Sequence, residues 1–268
     1  MLKDITLGQY FPGNSIAHKL DPRTKILLVT LYIIALFSAK GWMGYAVMAV
    51  TLAACVKVSH VGLRALVRGL KPLVFIIAFT GILNMFFTPD THYLWEWGIL
   101  RVSVKGIENA LSMVIRIMLL VMGTFLMTYT TSPIRLTDGL ESLLNPLKKI
   151  HVPVHELAMM MAIALRFIPT LIEETDKIMS AQKARGADFD SGNIFQKAKA
   201  LVPILVPLFI SAFRRADELA TAMECRCYHG GEGRTKLHVL KYQRRDYVAL
   251  AGGVVILALV VVLRRLGI

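Results

Sequence analysis

Residues 72–88 read PLVFIIAFTGILNMFFT, a run with no charged side chain, bounded by Lys71 on one side and Asp90 on the other. A stretch this apolar and this long has one common use, a helix crossing the hydrocarbon core, which takes about 20 residues or slightly fewer where the bilayer thins. Pro72 suits the first turn of such a helix, where its missing N–H costs nothing. Similar runs occupy 26–39, 45–58, 106–131 and 247–263. The first is short, and Gly41-Trp42 can extend it into the interface; a tight helical hairpin turning at Gly41–Gly44 joins it to the second. Across the 268 residues 55% are hydrophobic and only 18% charged. That composition excludes an ordinary soluble domain, in which about a quarter of residues are charged. The fold expected is an all-α integral membrane protein with about five transmembrane helices.

The net charge of +13 invites nucleic acid, an anionic surface or an acidic partner. No nucleic-acid motif accompanies it. Its distribution instead sets orientation. Lys3, Lys19, Arg23 and Lys25 precede the first run, and Lys57, Arg64, Arg68 and Lys71 separate the second from the third. The opposite side carries Lys40, with Arg101 and Lys105 offset by Asp90 and Glu96. The excess of Lys and Arg places the N-terminus in the cytoplasm. Trp95 and Trp97 fit an interfacial belt on the outer side. Residues 1–25, polar and turn-rich, have no apolar core and do not read as a cleaved signal peptide. Four organisational blocks follow: a cytoplasmic segment 1–25, helices 1–4 within 26–131, a cytoplasmic helical coupling domain 132–245, and a last span within 246–268.

The 132–245 block is polar enough for water yet holds apolar pieces at 152–172 and 201–213. These read as amphipathic or buried helices at the membrane face. Met159, Met160 and Met161 are adaptable packing residues, and Pro203 and Pro207 predict a kink. Within the block, Glu174–Asp188 and Arg215–Tyr228 align with a shift of 41 residues: Asp176 with Asp217, Ser180 with Thr221, Ala181 with Ala222, Arg185 with Arg226. Both are helix-compatible up to the arginine, with Gly186 after one and Gly230-Gly231 after the other as caps. A helix C-terminus carries partial negative charge, so an arginine rests easily there. Its guanidinium fork, projecting past the last turn, can grip carboxylates or carbonyls on another surface. Two such tips suit a partner with two similar sites.

Other constellations carry less. Arg116 lies within the fourth run, where an arginine costs on the order of 3 kcal/mol on insertion scales; a structural role fits, pairing with Glu108 or reaching outward. Cys225, Cys227 and His229 match no usual zinc spacing. His151 and His155 are four apart but separated by Pro153. Cys55 reads as a small buried hydrophobe. No phosphate-binding loop, nucleophile elbow or paired-carboxylate site is present. A membrane enzyme at the cytoplasmic face would need catalytic clusters the sequence lacks. A self-contained secondary transporter would show inverted repeats, whereas this repeat is direct.

The stretch Leu20-Asp21-Pro22-Arg23-Thr24-Lys25 before the first span resembles a signature of the transmembrane T component of energy-coupling factor (ECF) transporters, ABC-type vitamin and metal importers of prokaryotes. Ala184-Arg185-Gly186 resembles the family's paired Ala-Arg-Gly motifs. The second copy, Cys225-Arg226-Cys227, keeps only the arginine and is followed by Tyr228 and by Gly233-Arg234-Thr235. The resemblance covers essentially the whole chain. It implies a scaffold in the prokaryotic plasma membrane whose two crossed coupling helices contact two ATPase subunits through Arg185 and Arg226. It also implies a small membrane-embedded S component that carries the substrate, with the 152–172 and 201–213 pieces as surface for it. The chain itself would hold no cofactor or metal and catalyse nothing, ATP and Mg belonging to the ATPases. The substrate would be set by another chain.

Overall fold

The computed structural model describes residues 10–88, 93–97, 100–187, 189, 193–230 and 239–266. The chain forms a short α1 (Ile16–Lys19), then α2 (Pro22–Ser38), α3 (Gly41–Ser59), α4 (Leu63–Leu70), α5 (Val74–Phe87), β1 (Tyr93–Trp97), β2 (Leu100–Ser103), α6 (Val104–Thr130), α7 (Pro133–Leu144), α8 (Val154–Ala184), α9 (Ile194–Glu224) and α10 (Arg244–Arg265). Contacts divide it into two units, Gly8–Ser142 with Leu240–Ile268, and Leu143–Val239.

The first unit is a helical bundle whose starts are written in polar residues. Asp21 caps α2, its Oδ1 accepting from the Arg23 N–H at 2.9 Å, and Pro22 takes the first helical position. Ser103 caps α6 by accepting from the Gly106 N–H at 2.9 Å. Gln243 and Asp246 form a reciprocal box at the start of α10. The core collects Leu36, Met48, Leu52, Leu66, Leu119 and Val260, all buried. Much of the remaining apolar surface faces outward: Phe75, Phe79, Val248 and Val255 are exposed. Such a surface is unfavourable in water and natural in lipid.

Among the described residues, five helical segments are long and apolar enough to cross a membrane: Gly41–Ser59, Leu63–Phe87, Val104–Thr130, Val154–Ala184 and Arg244–Arg265. The number agrees with the expectation but the set does not: the first expected run, 26–39 in α2, is not among them, and α8, assigned from sequence to the cytoplasmic coupling domain, is; other boundaries are redrawn. The third expected run begins at Leu63 rather than Pro72, because α4 continues through one turn of 3₁₀ helix, Lys71–Leu73, into α5. The hairpin between the first two helices turns at Ala39 and Lys40, so Gly41-Trp42 open α3 instead of extending α2. At 17 residues, α2 is about 25 Å long, less than a full hydrocarbon core. The stretch between α5 and α6 forms an antiparallel ribbon, β1 pairing with β2 with Glu96 opposite Arg101 and a bulge between Tyr93 and Trp95. Among the described residues this ribbon is the departure from a purely helical chain.

Arg116 on α6 does not depend on Glu108. Its Nη2 donates to the Tyr45 hydroxyl at 2.5 Å and to the Ala39 carbonyl at 3.5 Å, and the guanidinium lies over the Phe37 and Tyr45 rings. Ala39 caps the C-terminus of α2, where carbonyls lack helical partners and the dipole is negative. The cation is thus matched to a helix end, which makes it affordable at this depth.

The second unit is built mainly on α8 and α9, each 31 residues and about 46 Å long. Pro169 lies inside α8, and Pro203 and Pro207 inside α9, and both helices run on through their prolines. His151 takes a left-handed conformation (φ 62) and α8 begins only after Pro153.

Candidate functional site

Among the described residues, side-chain hydrogen bonds join α8 to α9. Glu174 Oε2 accepts from Arg215 Nη2 at 3.0 Å and is also hydrogen-bonded by Ser211. Gln182 Nε2 donates to the Pro203 carbonyl at 3.2 Å. That carbonyl would ordinarily accept from the residue four places on, but Pro207 has no N–H. A glutamine from the neighbouring helix supplies the missing donor, so the prolines tie α9 to α8. As α8 advances from 174 to 182, its partners on α9 retreat from 215 to 203; the two helices therefore run antiparallel where they meet.

Ser211 first, and then Arg215, hold the Glu174 carboxyl below the usual carboxylate range against the opposing pull of burial. The sign follows from linkage: the contribution is present at neutral pH and fades as pH falls through the lowered value. Half-exposed as it is, the pair adds little stability and mainly fixes register.

Glu174 and Arg215 are themselves related by the 41-residue shift, so the repeated helices touch at equivalent positions. Arg185 and Arg226 each follow 11 residues later, roughly 16 Å along the helix. Because the pair is antiparallel, the two tips lie at opposite ends of it.

The ends match in hydrogen bonding. After α8, the Gly186 N–H donates to the Lys183 carbonyl at 3.0 Å and the Ala187 N–H to the Gln182 carbonyl at 3.0 Å. After α9, the Cys227 N–H donates to the Glu224 carbonyl at 2.8 Å and the Tyr228 N–H to the Met223 carbonyl at 3.1 Å. Both are Schellman caps, displaced by the same 41 residues. Each puts the residue after the arginine in the left-handed region: Gly186 at φ 89 and Cys227 at φ 54. The cap expected from Gly230-Gly231 is thus made earlier, by Cys227; Gly230 is left-handed too (φ 97) but lies beyond the cap. Gly231 and Gly233-Arg234-Thr235 fall outside the described residues. Ala184, Arg185, Gly186, Cys225, Arg226 and Cys227 are all exposed.

A Cβ in the left-handed region costs about 1–2 kcal/mol. Cys227→Gly should therefore stabilise the chain by about 0.5–1 kcal/mol, once the greater freedom of glycine in the unfolded chain is subtracted. Thermal unfolding in detergent reads this directly, and a destabilised variant would contradict the capping assignment.

The stretch 20–25 lies elsewhere, at the entry to α2 in the first unit. The Asp21 N–H donates to Asp246 Oδ1 at 2.8 Å. Asp246 Oδ2 accepts from the Gln243 N–H at 2.8 Å, and Asp246 is only 1% exposed. Arg23 Nη2 donates to the Leu240 carbonyl at 3.2 Å, and its guanidinium lies 5.2 Å from the Tyr242 ring centroid. Lys25 Nζ donates to the Thr130 carbonyl at 2.8 Å and Thr131 Oγ1 at 3.0 Å, capping α6. Pro22 rests against Gly139, where an added Cβ would come within 3.0 Å of the proline Cβ. Sequence reasoning singled out residues 20–25 but missed Asp246 and Tyr242. The one available signal was an acidic residue three places into a helix start, the box-forming position.

Comparison with known proteins agrees over nearly the full length. Residues 13–237 match the family of CbiQ, described as cobalt transport protein. The chain is 52% identical over 263 residues to the energy-coupling factor transporter transmembrane protein EcfT of Ruminiclostridium cellulolyticum, covering 98% of each chain. It is 56% identical over 250 residues to the protein of the same name from Clostridium kluyveri, covering 93% of each. With that of Bacillus subtilis it shares 46% identity over 264 residues, 98% of this chain and 100% of the other. The bundle, the membrane-length helices and the paired arginine tips thus sit in a multi-pass transporter component and not an enzyme: the chain belongs to the EcfT/CbiQ family of transmembrane components of energy-coupling factor transporters.

Proposed function

We propose that the chain is the coupling scaffold of an importer, with Arg185 and Arg226 as the residues that dock two ATPase subunits. The observation that carries this reading is the repeated tip: two exposed arginines, each seated at the same type of helix cap, each 11 residues beyond a contact between equivalent positions. A device with two like ends fits a partner with two like grooves. Each guanidinium has the geometry to hold a carboxylate or a carbonyl. ATP and Mg bind in the ATPases, and a membrane-embedded S component carries the vitamin or ion. The exposed apolar face of α9, including Leu205, Phe209 and Phe213, offers surface to that component. The N-terminus and the tips lie on the cytoplasmic side, where Lys and Arg are in excess.

Affinity purification of the chain from its own membranes in mild detergent tests this. The expected result is co-purification of ATPase subunits and a small apolar protein, with ATP hydrolysis in the complex and none in the isolated chain. A chain that purifies alone and transports by itself would overturn the reading.

A further inference from the structure

The helical segment between α7 and α10 is joined to the bundle by two chain connections, one leaving near Ser142 and one returning near Leu240. Four of the five residues 21–25 hold the chain just before the first connection and just after the second. Lys25 caps the C-terminus of α6, which leads into α7. Pro22 is wedged against Gly139 within α7. Arg23 binds the Leu240 carbonyl and covers Tyr242 on the returning strand. Asp21 binds Asp246 in the first turn of α10. The hydrogen bonds among them are charged at one partner and largely shielded: Asp21, Thr24, Lys25, Thr130 and Asp246 are buried. Charge-assisted bonds in such a setting are strong and directional.

We propose that Asp21, Pro22, Arg23 and Lys25, with Asp246 and Tyr242, form a clasp that fixes both roots of the 143–239 segment to the bundle, and that displacement of the segment reaches α6 and α10 through it. The proposal rests on the coupling reading above. These are positioning residues: they touch neither nucleotide nor substrate, and act by giving the moving segment a stiff attachment. A loose root would absorb a displacement locally, whereas a root held at four points in two directions passes it on, because packed elements shift between discrete arrangements rather than deform continuously. The geometry also gives Leu240 and Tyr242 a use that a simple connecting strand would not need.

The experiment uses the assembled complex, purified with its ATPases and S component and placed in lipid nanodiscs. The probe is ATP plus vanadate, which traps ATPases closed. Backbone hydrogen exchange is followed at the tips (184–187) and at the root (240–247). In the unaltered complex trapping should change exchange at both. In Arg23→Ala, ATP hydrolysis should stay within about twofold and the tip response should persist, while the nucleotide-dependent change at the root falls about tenfold. A root response equal to that of the unaltered complex would overturn the clasp while leaving the coupling reading intact. No response at the tips of the unaltered complex would overturn the coupling reading and the clasp with it. Should Arg23→Ala fail to accumulate, Tyr242→Ala decides: the ring is 37% exposed, so its loss leaves the bundle folded. A weakened root response supports the clasp, and an unchanged one overturns it.

Discussion

Replacing both arginines, Arg185→Ala with Arg226→Ala, is expected to strip the ATPase subunits from the purified complex and abolish transport while leaving the chain folded in the membrane. Each arginine is exposed at the end of a helix that is otherwise complete, so its removal opens no cavity and orphans no buried partner. The stability of the isolated chain should change by less than about 0.5 kcal/mol. Docking is another matter. Truncating one member of a desolvated, hydrogen-bonded charge pair in an interface costs about 2–5 kcal/mol. With two tips on one antiparallel helix pair, losing one also removes the advantage of tethering at the other. The single variants should each weaken binding by about 30-fold or more, and the double variant should bind no ATPase at micromolar concentrations. Pull-down from detergent, with thermal unfolding in parallel, separates the effects. Loss of fold together with loss of binding would mean that the arginines are structural.

The largest stability effect is expected at Asp246. Its two carboxylate oxygens accept from the Asp21 and Gln243 backbone N–H groups, and the residue is buried. Asp246→Ala would leave the buried Asp21 N–H without its acceptor, release the part-buried Gln243 N–H, and uncap α10. One unsatisfied buried donor costs about 1–3 kcal/mol, a lost cap about 1 kcal/mol. The combined loss should be about 3 kcal/mol, enough to lower the unfolding temperature by several degrees in nanodiscs. Asp246→Asn keeps one acceptor and should fall between. A loss under about 0.5 kcal/mol for the alanine variant would show that Asp21 and Gln243 find other partners.

Much of this was readable in the chain itself, for physical reasons that differ by region. Spans such as α6 and α10 announce themselves because the bilayer demands unbroken apolar length, and few other environments do. Their ends are harder. The shift of the third start from Pro72 to Leu63 arises because α4 carries Arg64 and Arg68 on exposed positions while Leu66 and Leu70 turn inward, an amphipathic pattern that a search for uncharged runs rejects. Helix α9 continues through its prolines, and Gln182, 21 residues away in sequence, satisfies one freed carbonyl. No local rule contains that donor. The arginine tips were legible because the repeat is direct and local in each copy. The same alignment places opposite charges, Glu174 and Arg215, at matching positions, which in retrospect foretold where the helices meet. Arg116 shows the converse: its partners Ala39 and Tyr45 lie more than 70 residues away, and nearest-in-sequence Glu108 was the wrong place to look. The clasp was half visible, since residues 21–25 stood out while Asp246 gains its meaning only when the first and last long helices come together.

The coupling role requires one chain that presents two equivalent docking ends. Native mass measurement of the complex released gently from its membrane tests this most directly. The predicted result is one copy of this chain with two ATPase subunits, falling to one ATPase subunit or none when a single arginine tip is replaced. A chain carrying two ATPase subunits with or without Arg185 and Arg226, or one that never carries more than a single subunit, would contradict it.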